Sequence, residues 1–173
     1  MALPFAPKIS PLMKRHKRGD FSCGKKPLND YLQSRASQDM KRGLAAVFIL
    51  EGGNEADIAG FYALSALSIE AGDLTEFAAK GLPVTRPVPC TLLGQFAVHE
   101  KWKGHGVGAW LLGHVLLNVT VHAGKVGSFA LIVDATDDEA RAYWRHSGFI
   151  PFPATPNRLF LPMKTLKKWL EKQ

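Results

Sequence analysis

After Pro27 the apolar residues recur at helical spacing: Leu28, Tyr31, Leu32, Ala36 and Met40 share one side of the wheel, while Asn29, Gln33 and Lys41 fall elsewhere. Proline suits the first turn of a helix, where a missing amide hydrogen breaks no intrahelical bond. The pattern predicts an amphipathic first helix. The period then changes. Ala45–Leu50 and Ile58–Ser65 are apolar runs on either side of the turn residues Gly52, Gly53 and Asn54, which predicts two strands joined as a hairpin. Asp73 with Glu76 three residues later predicts a capped short helix ending near Gly81. Beyond Pro83, Pro87 and Pro89, the run Cys90–Val98 reads as a strand covered on both faces.

The most apolar stretch, Val107–Ala123, is interrupted by Gly108, Gly113, His114, Asn118, Thr120 and His122. It falls short of the ~20 predominantly apolar residues that a bilayer crossing requires, and is predicted to be a helix buried on most sides. Phe129–Val133 is a second buried strand, and Thr136 with Glu139 forms a predicted capping box for a helix closed by Gly148. Leu159–Pro162 is a last short strand before a terminal helix over Leu166–Leu170 that carries Trp169. An antiparallel first half followed by strand, helix, strand, helix, strand predicts an α/β (mixed α+β) fold. No repeat or low-complexity tract divides the chain, and its 173 residues suit one domain over 1–173.

Composition narrows the class. Hydrophobic residues at 46% with 21% charged are the proportions of a folded protein, which excludes a disordered tail or a fibre. Two cysteines, Cys23 and Cys90, cannot build a disulfide framework, and the opening Met1-Ala2-Leu3-Pro4-Phe5 lacks the basic head and apolar run of a signal peptide. The expectation is a cytoplasmic protein without a membrane span. The net charge of +7 resides wholly in residues 1–42, whose cations outnumber their carboxylates by seven. Within that segment Lys14, Arg15, Lys17 and Arg18 cluster around His16. Such a cluster can neutralise phosphates, with an affinity that falls steeply with salt; it can equally be a solvated face that keeps the protein soluble.

The most informative stretch runs from Val98 to Leu112, where a strand, a glycine-rich turn and a helix follow one another. Glycines alternate at 104, 106 and 108. At such positions the backbone can approach a bound group, and the free amide hydrogens at the helix start point at it with the positive end of the dipole. The turn therefore fits a phosphate or pyrophosphate. It is neither a Walker loop nor Gly-x-Gly-x-x-Gly, because the Gly-Lys-Ser/Thr ending is absent and position 109 is alanine.

Lys103-Gly-His-Gly106-Val-Gly108 resembles the Arg/Gln-x-x-Gly-x-Gly/Ala pyrophosphate motif of the GNAT N-acetyltransferase superfamily. Phe21–Leu32, Gly60–Ser65, Leu93–Val98 and Leu159–Met163 extend the resemblance over nearly the whole chain, to the acetyltransferase toxins of toxin-antitoxin operons. It implies a central mixed, mostly antiparallel sheet flanked by helices, with acetyl-CoA as cofactor. By the same resemblance the pantetheine arm pairs with the backbone of Phe96, Ala97 and Val98, and Lys103, Gly104, His105, Gly106, Val107 and Gly108 hold the pyrophosphate. The implied substrate is the amino group of aminoacyl-tRNA, whose acetylation stops translation. Lys14, Arg15, Lys17 and Arg18 are then candidate tRNA contacts. The implied partners are a ribbon-helix-helix antitoxin and a second copy in a homodimer.

Two departures stand out. Lys103 replaces Arg or Gln, so it offers a point charge and no guanidinium fork. The family's tyrosine, four residues before the glycine of Tyr-x-x-x-Gly-Phe, protonates the leaving thiolate; here that position is Trp144, with Tyr143 one residue earlier. An indole N–H donates hydrogen bonds but is no acid near neutral pH, and one residue along a helix turns a side chain by about 100°. Tyr143 and Trp144 are the catalytic candidates, with water as the alternative proton source. His99 or Glu100 could accept the amine proton through water, or be ordinary surface residues. No carboxylate or thiol joins the histidines at ligand spacing, so no metal is expected. The competing readings are a small-amine N-acetyltransferase and a catalytically silent module that binds acyl-CoA, tRNA or an antitoxin.

Overall fold

The computed structural model describes residues 2–173. Its elements are β1 (Lys8–Pro11), α1 (Lys26–Asp30), α2 (Ala36–Lys41), β2 (Ala46–Glu51), β3 (Ile58–Ile69), α3 (Glu76–Ala79), β4 (Val88–Val98), α4 (Val107–Ala123), β5 (Ala130–Asp134), α5 (Asp138–His146), β6 (Ile150–Pro151), β7 (Arg158–Pro162) and α6 (Met163–Glu171). The strands form one seven-stranded sheet in the order β1-β2-β3-β4-β5-β7-β6. The β1/β2, β2/β3, β5/β7 and β6/β7 pairs are antiparallel and β4/β5 is parallel, so the sheet is mixed and mostly antiparallel, as expected. The chain divides into two compact units, one of residues up to Ser65 with Gly94–Val115, the other of Ala66–Leu93 with Leu116–Gln173.

In the first unit Phe21, Leu32, Val47, Ile49, Phe61 and Ala97 share a core. The hairpin is where the sequence predicts it, with a register shift at Leu50/Glu51. The predicted first helix is present but not uniform: α1 and α2 are joined by a π-helical turn, Tyr31–Arg35. That wider turn sets Tyr31 and Leu32 side by side in the core. Tyr31 donates to Asp39 at 3.1 Å, and burial followed by that carboxylate pushes its pKa up to about 12. β1 has no sequence signal, because only Ile9 of its four residues is strongly apolar. It is held by polar contacts instead. Glu51, almost fully buried at the end of β2, accepts from Ser10 Oγ at 2.8 Å, from His16 Nε2 at 3.2 Å and from Arg15. His16 Nδ1 accepts from the Met13 amide at 2.9 Å, which fixes the proton on Nε2.

In the second unit Ile69, Leu74, Cys90, Ile132, Phe152 and Phe160 pack together. Two predicted caps are displaced. Asp73 ends a 3-10 turn, and Thr75 caps α3 by accepting from the Ala78 amide. Asp137, not Thr136, caps α5 by accepting from the Ala140 amide at 2.7 Å. Aspartate is at least as good a cap as threonine and here stands one residue closer to the helix. The prediction that α4 is buried on most sides is also corrected. Val107, Leu111, Val115 and Val119 are buried on one face, whereas Leu117 and Val121 are more than half exposed. Among the described residues no helix is long and apolar enough to cross a membrane.

Gly148 closes α5 at φ +98° in a Schellman motif: the Phe149 amide bonds the Trp144 carbonyl at 3.0 Å and the Gly148 amide bonds that of Arg145 at 3.0 Å. A Cβ at Gly148 would lie 2.4 Å from the Trp169 ring. Gly148→Ala is therefore expected to cost about 2 kcal/mol from backbone strain and the displaced indole. Thermal unfolding should show a melting point lower by about 4–8 °C.

Candidate functional site

β4 ends at Val98, and His99 caps a single 3-10 turn, Glu100–Trp102. The imidazole Nδ1 accepts from the Lys101 amide at 3.1 Å, while Nε2 donates to the Asp20 carbonyl at 3.0 Å. Both ring nitrogens are committed, so His99 is a structural cap and has no lone pair left for a substrate proton. Glu100 is tied to the segment before α1, its amide bonding the Ser22 carbonyl at 2.8 Å and its carboxylate accepting from Ser22 Oγ at 3.2 Å.

The glycine turn follows. Gly104 and Gly106 both sit at φ +79°, where an L-residue costs roughly 1–2 kcal/mol. A Cβ at either would meet nothing within 4 Å. These glycines are thus not squeezed by neighbouring protein; the backbone turns left-handed around open space. α4 begins at Val107, and its first-turn amides have no intrahelical acceptor. A 17-residue helix concentrates partial positive charge at this end. Gly108 packs its α-carbon against the strand, a Cβ there lying 3.7 Å from Val98 Cγ2. The turn Gly104–Gly108 therefore follows directly on Val98, with Gly104 and His105 exposed and Val107 buried, and Phe96 and Ala97 lie just before it on β4. Gly60 on β3 permits the close approach there, since a Cβ would stand 2.9 Å from the Ala97 carbonyl oxygen.

Lys103 behaves differently from the expected phosphate ligand. Its Nζ donates to the Cys23 carbonyl at 2.6 Å, which ties the turn to the N-terminal segment. The basic cluster also divides. Arg15 pairs with Glu51 and donates through Nε to the Glu55 carbonyl at 2.9 Å, and Arg18 donates to Ser37. Lys17 is exposed and stands 3.7 Å from Asp57, and Lys14 is exposed. Two of the four cations thus hold the fold, and two face water.

The catalytic candidates lie in the second unit on α5. Trp144, which takes the position of the expected acid, is 7% exposed and packs edge-on against Phe149 at 5.2 Å between ring centres. Tyr143 is 39% exposed, with its ring 4.9 Å from that of Trp144. Partial burial nevertheless raises the Tyr143 pKa above its ordinary value, only partly offset by Ser147. Its phenol therefore keeps its proton throughout the neutral range. Sequence reasoning missed Trp102 beside the glycine turn, although the alternation Lys101-Trp102-Lys103 was there to be read.

The acetyltransferase (GNAT) family model matches residues 18–149. A tRNA-acetylating toxin of Mycobacterium tuberculosis (strain ATCC 25618 / H37Rv) is 35% identical over 144 residues, which cover 83% of this chain and 84% of that protein. Among solved structures, AtaT complexed with acetyl-methionyl-tRNAfMet is similar with a TM-score of 0.87 at 25% identity, over 95% of this chain and 99% of that one. AtaTR bound with AcCoA is similar with a TM-score of 0.83 at 25% identity, over 95% and 98%.

Proposed function

The chain belongs to the GNAT acetyltransferase family, and we propose that it works as one domain over residues 1–173 to move an acetyl group from acetyl-CoA onto the amino group of aminoacyl-tRNA, so arresting translation. The observation that carries this reading is the glycine turn: open, left-handed at two residues, and placed between the end of β4 and the start of α4. The donor set fits a pyrophosphate, because it is built of backbone amides at the positive end of a helix dipole. Kinship to a tRNA-acetylating toxin supports tRNA as the carrier of the amine.

When bound, acetyl-CoA supplies an acetyl thioester open to attack by a primary amine. The amides of Gly104–Gly108 hold its pyrophosphate and the backbone of Phe96–Val98 aligns its pantetheine arm. The chain need not supply a strong base, since α-amino groups have a pKa of about 7.7 to 8.0 and are partly neutral at working pH. Nor does it offer a matched acid. Trp144 cannot protonate a thiolate, and Tyr143 stands one residue before the acid's place, about 100° round the helix from it. Proton delivery therefore falls to water. Tyr143→Phe is expected to lower single-turnover acetylation by less than tenfold, with acetyl-CoA affinity unchanged; a loss of ~10² or more would make Tyr143 the acid.

Lys14 and Lys17 are the cations proposed to meet tRNA phosphates, while Arg15 and Arg18 keep their structural contacts. A ribbon-helix-helix antitoxin, a homodimer and a cytoplasmic location belong to the same reading. The test is a reconstituted translation reaction, which should stop when protein and acetyl-CoA are added together and run with either alone. Translation that continues with both present would overturn it.

A further inference from the structure

Beside the glycine turn, within the first unit, lies a cavity of about 230 Å³. Its lining includes Lys17, Asp20, Gly52, Asp57, Lys101 and Trp102. We propose that this cavity is a base-binding subsite for an unpaired nucleotide of the tRNA substrate, an inference that rests on the aminoacyl-tRNA reading above and deepens it.

Trp102 forms one wall. No described residue accepts from its indole N–H, and the nitrogen is not sealed in the core. Gly52 lies beside that edge, an added Cβ there standing 3.4 Å from Nε1. A side chain at position 52 would cover the indole edge that glycine leaves uncovered. The Lys101 ammonium stands 4.9 Å from the centre of the Trp102 ring and is itself exposed. Phe5 and His105 pack at 62° and 88° to the indole, 5.0 and 6.1 Å between ring centres, so a stacked base would take the place of the Lys101 side chain. The Lys17 ammonium, also in the lining, is held only by an exposed ion pair to Asp57 at 3.7 Å, a contact worth little in water.

An aromatic face flanked by two cations is how proteins hold single-stranded nucleic acid, the base stacking on the ring and the backbone following the charges. The carboxylates of Asp20 and Asp57 decide what else fits. They would repel a bare phosphate in the cavity, but accept hydrogen bonds from the exocyclic amine of adenine, cytosine or guanine. The base edge therefore enters the cavity, and the phosphates lie outside it on Lys17 and Lys101. Lys14, exposed on the same N-terminal segment as Lys17, extends that track.

The test uses fluorescein-labelled uncharged tRNA, read by anisotropy, beside calorimetric titration with acetyl-CoA. Stacking is worth ~1–3 kcal/mol per base, so Trp102→Leu should weaken tRNA at least about fivefold and Trp102→Phe by less than about threefold, both leaving acetyl-CoA within about twofold of wild type. Lys101→Gln, at an exposed position, should lower the slope of log affinity against log salt by about one, and carries the test alone if Trp102→Leu does not fold. Unchanged tRNA binding by both Trp102→Leu and Lys101→Gln would overturn the proposal. So would weaker acetyl-CoA binding with tRNA unaffected, which would give the cavity to the adenosine of the coenzyme. Trp102-dependent binding of tRNA by a wild type that acetylates none would leave the subsite standing and remove the acetylation reading.

Discussion

Replacing Glu51 by alanine is expected to destabilise the protein by about 3 kcal/mol. Its carboxylate is the shared acceptor of Ser10, His16 and Arg15, and Lys8 stands 3.8 Å away. Removing it takes the charged acceptor from the buried Ser10 hydroxyl and leaves the His16 Nε2–H only the Ser10 oxygen, 3.3 Å away. The melting point should fall by about 6–12 °C, with β1 and the segment through Arg15 gaining amide exchange first. Glu51→Gln, which keeps one acceptor oxygen, should lose about half as much. Acid reports on the same group. Burial alone would raise the Glu51 pKa, but the bonds from Ser10, Arg15 and His16 and the charge of Lys8 outweigh it and hold the pKa below the ordinary value. Its contribution is therefore complete above the ordinary carboxylate range and drains away as pH falls through the lowered pKa. Wild type should lose more stability than Glu51→Gln as pH falls through that range. Equal melting points for wild type and Glu51→Ala would contradict this account of the network.

Gly106→Val is expected to weaken acetyl-CoA by about a hundredfold or more while the protein stays folded. At φ +79° a β-branched residue cannot keep the turn, so the amides that follow lose their aim. Two charge-assisted bonds lost correspond to roughly 3 kcal/mol or more. Because a Cβ there would touch nothing within 4 Å, the folding cost is confined to backbone strain of about 1–2 kcal/mol. Gly113→Ala, in the interior of α4 with the same open surroundings, should bind acetyl-CoA as wild type does. A folded Gly106→Val with unchanged calorimetric affinity would remove the cofactor from the turn.

What the sequence made legible was local. Glycines at 104 and 106 declare a turn because few other residues tolerate such backbone, and the hairpin declares itself by a change of period. Gly148 announces the end of α5 for the same reason. The illegible parts depend on partners far apart in the chain. The buried cluster of Ser10, His16 and Glu51 joins the end of β2 to an N-terminal segment that shows no apolar pattern. That is why β1 was invisible, and why Arg15 looked like a free phosphate ligand. Lys103 and Arg18 carry contacts of the same kind: a cation's type is written in the sequence, but its bond to the Cys23 carbonyl or the Ser37 hydroxyl is not. In α4 the error ran the other way. Leu117 and Val121 are apolar yet exposed, so a continuous apolar run overstated burial.

The most direct test of the central claim is the chemistry at the 3′ end of charged tRNA. Total aminoacyl-tRNA would be incubated with the protein and acetyl-CoA, digested with ribonuclease, and the released aminoacyl-adenosines read by mass spectrometry. The account predicts one or more aminoacyl-adenosines carrying an acetyl group on the α-amine, formed only when protein and acetyl-CoA are both present and lost with Gly106→Val. Aminoacyl-adenosines that all remain unacetylated, with wild-type protein shown by calorimetry to bind acetyl-CoA, would contradict it.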